Sequence, residues 1–141
     1  MFLLDTNVIS ELRKARAHKA DRNVAAWVGT APAGSLFLSA IVILELEIGT
    51  LLAERRDAAK GALLRAWLDE HVLPTFAERI LPVDTAVARR SAALHIPDPR
   101  PIRDALIAAT ALIHGMTLVT RNVADFAPTG VALLNPWNAQ P

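Results

Sequence analysis

The chain has 141 residues, the size of one domain with its own hydrophobic core. Its 52% hydrophobic and 21% charged residues exclude a mainly disordered chain, and the absence of cysteine excludes disulfide frameworks, thiolate metal sites and thiol nucleophiles. The formal net charge of +1 is too balanced to indicate a polyanionic partner by itself.

The N-terminal residues do not resemble an export signal. Asp5 and Glu11 lie where a signal peptide would be apolar, so we expect an unexported, cytoplasmic protein. The longest charge-free stretch, residues 23–44, is interrupted by Gly29, Pro32 and Gly34, which argues against a membrane-spanning helix and a membrane partner. No repeat or flexible linker divides the chain, and we expect residues 1–141 to form a single domain.

Short apolar runs alternate with helical segments along the first half of the chain. The predicted elements are, in order, a strand at 1–4, helices at 7–16 and 21–28, a strand at 36–39, and helices at 40–56 and 57–72. Ser39 is in position to cap the helix that follows it. Pro74 is expected to end the last of these helices, because proline lacks the N–H that the helix needs.

The second half continues the alternation. The predicted elements are a strand at 80–83, a helix at 85–94, an extended loop at 96–101, a helix at 101–114, and strands at 117–119 and 131–134. Asp84 is expected to cap one helix, and Gly115 to end another. Alternating strands and helices predict an α/β fold whose parallel sheet is covered on both faces, with sites beyond the carboxyl ends of its strands.

Two acidic residues occupy positions where a solvated charge is unexpected. Asp5 ends an apolar strand, and Asp104 lies in the first turn of a helix that is apolar all round, so we expect Asp104 to be buried or half-buried. Each also has a purely structural interpretation. Asp5 is suited to capping the next helix, and Asp104 to the positive end of its helix dipole.

A third acid, Glu45, lies on a helix among apolar neighbours. At about 100° per residue, its face also carries Ile41, Val42, Ile48, Gly49 and Leu52. We therefore expect a buried carboxylate at Glu45, and an ordinary exposed acid at Glu47 on the opposite side. The structural alternative for Glu45 is an ion pair with an arginine at a partly buried edge.

Converging carboxylates repel one another unless a cation lies between them. Each buried carboxylate costs several kcal/mol unless it is paired, protonated or bound to a cation. A multivalent cation or several arginines would offset the repulsion of three. Oxygen ligands without histidine or cysteine favour Mg²⁺ or Mn²⁺ over zinc, so we predict that Asp5, Glu45 and Asp104 form such a site.

At these residues the sequence resembles a PIN-domain ribonuclease, of the VapC and FitB type that forms the toxin of bacterial toxin–antitoxin pairs. The matching segments are residues 3–11 (LLDTNVISE), 39–41 (SAI) with Glu45, Leu46 and Gly49, Asp104 with 107–111 (IAATA), 118–122 (LVTRN) with Asp125 and Phe126, and 135–137 (NPW). They span nearly the whole chain in the family's order. The resemblance implies a three-layer sandwich around a parallel sheet, and a Mg²⁺- or Mn²⁺-dependent endoribonuclease that hydrolyses RNA phosphodiester bonds.

By resemblance, Asp5, Glu45 and Asp104 match three metal-binding acids of the family. A fourth acid often follows the family's Thr-Arg pair, and Asn122 occupies that position here, with Asp125 three residues further on. An amide oxygen binds a cation more weakly than a carboxylate does. Whether one or two metals bind, and whether Asn122 or Asp125 completes the site, therefore stays open.

Four further residues are expected to support the site. Thr6, Asn7 and Thr120 are suited to orienting carboxylates or water. Arg121 is a candidate for a phosphate contact, or for compensating the acids when no metal is bound. The basic segment 13–19 (RKARAHK) is suited either to RNA phosphates or an acidic partner, or to a solvated helix face.

The resemblance also implies partners: an RNA substrate, a cognate antitoxin that blocks the acidic site, and a second copy of the chain in a homodimer. Two alternatives stay open. One is a housekeeping PIN nuclease without an antitoxin. The other is a catalytically inactive PIN-like binding module, against which the three acids argue and for which Asn122 gives some support.

Overall fold

Short apolar segments form a five-stranded sheet in the computed structural model, which describes residues 1–141 apart from the side chain of Arg16. The strands are β1 (Phe2–Leu4), β2 (Leu36–Ser39), β3 (Ile80–Leu81), β4 (Thr117–Val119) and β5 (Leu133–Leu134). All neighbours pair in parallel, in the order β3-β2-β1-β4-β5. Leu3 pairs with Phe37 on one side and Leu118 on the other, so β1 lies at the centre.

Helices cover both faces of this sheet. They are α1 (Thr6–Arg13), α2 (Arg22–Thr30), α3 (Ala40–Arg56), α4 (Ala58–Trp67), α5 (Leu73–Thr75), α6 (Thr85–Ala93), α7 (Ile102–His114) and α8 (Val123–Phe126). Leu3 and Leu4 point to opposite faces of β1, and both are fully buried. The predicted three-layer α/β sandwich is confirmed. Among the described residues, no helix is both long and apolar enough to cross a membrane.

Local signals set several helix ends as predicted. The Ser39 hydroxyl accepts from the backbone N–H of Ile41 at 3.0 Å, at the start of α3. Asp84 caps α6 by accepting from the N–H of Val87 at 2.9 Å. Gly115 ends α7 in the left-handed conformation at φ 64°, which glycine adopts without steric cost.

The prediction that Pro74 ends its helix is wrong. The chain leaves α4, makes a π-helical turn over Leu68–Val72, and continues through Pro74 to Thr75 as α5. Pro74 follows directly after the π-helical turn and lies one residue before the helix ends at Thr75, where the regular hydrogen-bond ladder is already interrupted, so its missing N–H costs little. Strands β3 and β5 are also shorter than predicted.

The buried stripe of α3 differs from the predicted one. Ile48 and Leu52 were expected to be buried beside Glu45, but they are 38% and 48% exposed. The stripe instead repeats every four residues, at Val42, Leu46 and Thr50. Glu45 therefore lies at the border of the buried face. The rotation of α3 about its axis is set by the elements that pack against it, and the sequence does not reveal these.

A group of ion pairs joins α4 to the outer side of α3. Arg65 lies 2.6 Å from Glu47 and 3.0 Å from Glu54. The prediction that Glu47 is an ordinary exposed acid omitted this partner: its side chain is 41% exposed, and Arg65 lowers its pKa. Because these groups are exposed, the pairs orient the two helices more than they stabilise them.

We expect Gly61→Ala to lower the free energy of unfolding by about 1–3 kcal/mol. A Cβ at Gly61 would lie 2.3 Å from the Cα of Glu54, so the backbones of α4 and α3 would have to separate. Urea unfolding measures the change. The matched control is Gly49→Ala in α3, where a Cβ meets no atom within 4 Å and stability should rise by up to about 1 kcal/mol. Equal stability of Gly61→Ala and the wild type would contradict the close helix contact.

Candidate active site

The site begins at the carboxyl end of the central strand, where Asp5 follows β1. Asp5 is only 6% exposed, and three groups donate to its carboxylate. The backbone N–H of Thr6 donates to Oδ1 at 2.8 Å, the Thr120 hydroxyl to Oδ2 at 2.8 Å, and the Asn7 amide to Oδ2 at 3.4 Å. Asp5 thus caps α1 and is also held in one orientation by the residue that follows β4.

Glu45 reaches the same edge from α3, the helix that follows β2. The Thr6 hydroxyl donates to Glu45 Oε1 at 2.9 Å, so one threonine contacts both acids. The side chain of Glu45 is 24% exposed, and Arg103 Nη1 lies 3.8 Å from Glu45 Oε2. The arginine pair considered as the structural interpretation of Glu45 is therefore present, beside the other acids.

Asp104 approaches from the first turn of α7 and is half-buried, as predicted. Together with Asp5 and Glu45 it lines one cleft of about 490 Å³. Asn122, an exposed residue after β4, lines this cleft too. Asp125 does not: it lines an adjoining hollow, of which Asp104 forms part of the wall. Of the two candidates for completing the site, only Asn122 faces the cleft that holds all three acids.

Polar and cationic residues complete the walls of the cleft. Asn7 links two parts of these walls: its amide donates to Thr120 Oγ1 at 3.3 Å, and its Oδ1 accepts from the Arg121 backbone N–H at 3.3 Å. The Arg121 guanidinium lies over the ring of Trp137, at 5.1 Å, rather than beside the acids. From the basic segment, Arg13 and Lys14 line the cleft.

Burial and neighbouring acids raise the pKa values of Asp5 and Asp104. Burial raises the pKa of Asp5 above its ordinary 3.8, against the hydrogen bonds from Thr120 and Thr6, and the charges of Glu45 and Asp104 raise it further. Burial also raises the pKa of Asp104, as do the charges of Glu45 and Asp125, while Arg103 opposes them. These three carboxylates are therefore close enough in space to repel one another.

The donor set suits a hard divalent cation. Three carboxylates line the cleft, where oxygen ligands are what Mg²⁺ and Mn²⁺ prefer. Their mutual repulsion is what a cation would relieve. Among the described side chains, however, no three acids or histidines are drawn together tightly enough to coordinate one ion, and Glu45 is turned toward Thr6 and Arg103.

The sequence did not predict two residues of this region: Glu11, which lines the cleft, and Arg103, which lies beside Glu45. Glu11 is only 9% exposed, accepts from the N–H of Asp21 at 3.0 Å, and lies 3.3 Å from Lys14 Nζ. Its i,i+3 spacing from the buried Val8 was the available signal. Arg103 gave no such signal, because only the tertiary structure brings α7 beside α3.

We expect Asp104→Asn to raise the thermal midpoint in buffer without divalent cations, because it removes a half-buried charge that Glu45 and Asp125 repel. The sign follows from the raised pKa: the folded chain binds the proton more tightly, so wild-type stability falls as pH rises from 3.8 through that pKa. Thermal melts across this pH range should show that the midpoint of the variant falls less with rising pH than that of the wild type. Asp98→Asn, at an exposed loop residue, is the matched control. A lower midpoint for Asp104→Asn would contradict the repulsion.

Comparison with known proteins identifies the family. The sequence pattern described as the PIN domain matches residues 2–128. The chain belongs to the PIN domain family. This PIN domain is 38% identical to VapC ribonuclease Y4jK of Sinorhizobium fredii over 142 residues, which cover 97% of the chain and 98% of the relative. It is also 38% identical to toxin FitB of Neisseria gonorrhoeae over 143 residues, which cover 98% and 99%.

Solved structures agree with this assignment of the PIN domain. The structure of FitAB bound to an IR36 DNA fragment has a TM-score of 0.87 and 35% identity, over 100% of this chain and 99% of that chain. The crystal structure of FitAcB from Neisseria gonorrhoeae also has a TM-score of 0.87, with 36% identity over 98% and 99%. The resemblance to the VapC and FitB type drawn from the sequence is confirmed.

Proposed function

We propose that this PIN domain, as one unit of residues 1–141, is a metal-dependent endoribonuclease and the toxin of a toxin–antitoxin pair. One observation carries the proposal: the acid that follows β1 and those of α3 and α7 line one cleft, and the charge of Glu45 raises the pKa values of both Asp5 and Asp104. The names of the relatives, VapC ribonuclease and toxin FitB, support both the nuclease and the toxin assignment.

In this proposal, Asp5, Glu45 and Asp104 hold Mg²⁺ or Mn²⁺, as one or two ions, and Asn122 adds a neutral amide oxygen. A divalent cation supplies a water of lowered pKa and neutralises charge on the phosphoryl oxygens of RNA. The surrounding residues keep the acids in place. Thr6 contacts both Asp5 and Glu45, so their carboxylates stay oriented while α1 and α3 remain packed.

Arg103 has a distinct part in the same proposal. Its guanidinium lies 3.8 Å from Glu45, and its side chain is 50% exposed, so it is free to move away from the carboxylate. Paired with Glu45, Arg103 offsets part of the acidic charge. Arg103 would have to leave Glu45 before that carboxylate could hold a cation, and its guanidinium would then be available to an RNA phosphate.

The partner proposals rest on similarity and on exposed apolar surface. FitAB and FitAcB name complexes of the relatives, and we propose an antitoxin for this chain as well. Along α3, four apolar side chains are 38–55% exposed: Leu44, Ile48, Leu51 and Leu52. Contiguous apolar exposure of this kind is typical of interaction surfaces. We also propose a homodimer, which analytical ultracentrifugation would test, and a cytoplasmic site of action.

Incubation of the purified chain with total cellular RNA tests the proposed activity. We expect cleavage at mappable sites with Mg²⁺ or Mn²⁺, and none when EDTA removes the cation. RNA binding without cleavage at any divalent concentration would favour the inactive binding module, for which Asn122 in place of the family's frequent fourth acid is the supporting feature. An antitoxin-like reading frame beside the gene would separate the toxin from the housekeeping nuclease.

A further inference from the structure

Two arginines beside the acidic cleft are each stacked on a tryptophan. The Arg13 guanidinium lies 5.9 Å from the centre of the Trp67 ring, and that of Arg121 lies 5.1 Å from Trp137. Neither arginine forms an ion pair with any side chain that the structure describes. Both also line the cleft, so their charges are available to an anionic ligand there.

The other two cations of this region are already paired. Lys14 lies 3.3 Å from Glu11, and Arg103 lies 3.8 Å from Glu45. A paired cation attracts a phosphate less than an unpaired one does, because its carboxylate partner competes. The two stacked arginines are therefore the strongest sites of attraction for a phosphate on the walls of the cleft.

The two stacked pairs lie on opposite sides of Asp5. Arg121 follows β4, which neighbours β1 on one side, and it lines the cleft beside Asn122. Arg13 and Trp67 line a smaller hollow with Glu45, whose helix follows β2 on the other side of β1. A chain of phosphates that crosses the carboxyl edge of the sheet would meet one arginine, then the acids, then the other arginine.

Backbone hydrogen bonds hold both Arg121 and Trp137 in place. Trp137 donates its N–H to Asn135 Oδ1 at 3.0 Å, and its carbonyl accepts from Asn23 Nδ2 at 2.7 Å. Arg121 donates its backbone N–H to Asn7 Oδ1 at 3.3 Å. A guanidinium held over a ring by a cation–π contact still has N–H groups to donate, and such groups pair with phosphate oxygens.

We propose that Arg13 and Arg121 bind the RNA phosphates on the two sides of the scissile phosphate, and that Trp67 and Trp137 are positioning residues that hold them. The inference rests on the proposed ribonuclease function and adds the path of the substrate across the site. It also explains how an acidic cleft accepts a polyanion: cations at both ends offset the repulsion of the carboxylates between them.

The salt dependence of RNA binding tests the two arginines. The probe is a labelled pool of random 12-nucleotide RNAs, and the protein is the full chain carrying Asp5→Asn, so that no cleavage occurs. For single strands, each phosphate contact contributes about 0.7 to the slope of log affinity against log salt. We expect Arg13→Ala and Arg121→Ala each to reduce the slope by about 0.7, and the double variant by about 1.4.

Arg89→Ala is the matched control, because Arg89 is an exposed arginine on α6 that does not line the cleft. Its slope should equal that of the parent. Unchanged slopes for Arg13→Ala and Arg121→Ala, or no binding of the pool by the parent at 50 mM KCl, would overturn the proposal. The readout is RNA binding and not cleavage, so the two proposals can fail separately. If the arginine variants lose slope but the wild type never cuts RNA, the proposed ribonuclease function is contradicted while the phosphate contacts stand.

Neutral phosphates test the order of the contacts along the strand. In an RNA spanning a mapped cleavage site, single methylphosphonates would replace the phosphates flanking the scissile one. The measured quantity is the affinity for each modified RNA. We expect the affinity of each arginine variant to be unaffected by a methylphosphonate on one side of the scissile phosphate only, and that side should be opposite for Arg13→Ala and Arg121→Ala. Sensitivity lost on the same side in both variants would overturn the proposed path.

Replacements of Trp137 test its positioning role. Trp137→Leu should reduce the salt slope of RNA binding nearly as much as Arg121→Ala does. Trp137→Phe should leave the slope unchanged, because a phenyl ring still supports the guanidinium. Circular dichroism checks that both variants are folded. Equal slopes for Trp137→Phe and Trp137→Leu, in folded proteins, would show that the ring does not position Arg121.

Discussion

Asp5→Asn is expected to reduce RNA cleavage by at least about 10³-fold while the chain stays folded. Asp5 lines the cleft with Glu45 and Asp104, and the substitution replaces its anionic carboxylate with a neutral amide. The hydrogen bonds from Thr6 and Thr120 hold this carboxylate in place, and an amide oxygen can accept only some of them. Cleavage rates at saturating Mn²⁺ measure the loss.

Asp98→Asn is the control for Asp5→Asn, since it makes the same chemical change at an exposed loop position away from the cleft. Its cleavage rate should match that of the wild type. Far-ultraviolet circular dichroism and a thermal melt would verify that Asp5→Asn is folded. If folded Asp5→Asn cleaves at the wild-type rate, Asp5 does not belong to the catalytic machinery.

Asn122→Asp should lower the Mn²⁺ concentration for half-maximal cleavage about tenfold. Asn122 lines the cleft with Asp5, Glu45 and Asp104, and the substitution adds a fourth anionic oxygen there. The same charge increases repulsion among the acids, so the thermal midpoint should fall in buffer without divalent cations. Metal titrations followed by cleavage and by calorimetry measure both affinities.

Asp125→Asn tests whether Asp125, and not Asn122, completes the proposed metal site. Asp125 is exposed and lines the adjoining hollow, although its charge raises the pKa of Asp104. Its removal should change the half-maximal Mn²⁺ concentration far less than Asn122→Asp does. Identical titrations for Asn122→Asp and the wild type, together with a large change in Asp125→Asn, would assign the position to Asp125.

The sequence by itself determined the architecture and the three acids. Continuous apolar runs such as residues 1–4, alternating with helical segments, indicate a parallel sheet buried on both faces, and short-range signals such as Ser39 and Gly115 set helix ends. Carboxylates in apolar surroundings are costly, so Asp5 and Asp104 were detectable without coordinates. Each of these inferences depends only on residues close together in the chain.

The tertiary structure decided what depends on how the elements pack. The rotation of α3 put Glu45 at the edge of the buried face and left Ile48 exposed, because contacts with neighbouring elements, not periodicity alone, select the buried stripe. Arg103 reaches Glu45 only because α7 lies beside α3, and Arg121 turns toward Trp137 because the C-terminal segment returns to the cleft. Side-chain pairs between residues distant in the chain form in space, so no local pattern encodes them.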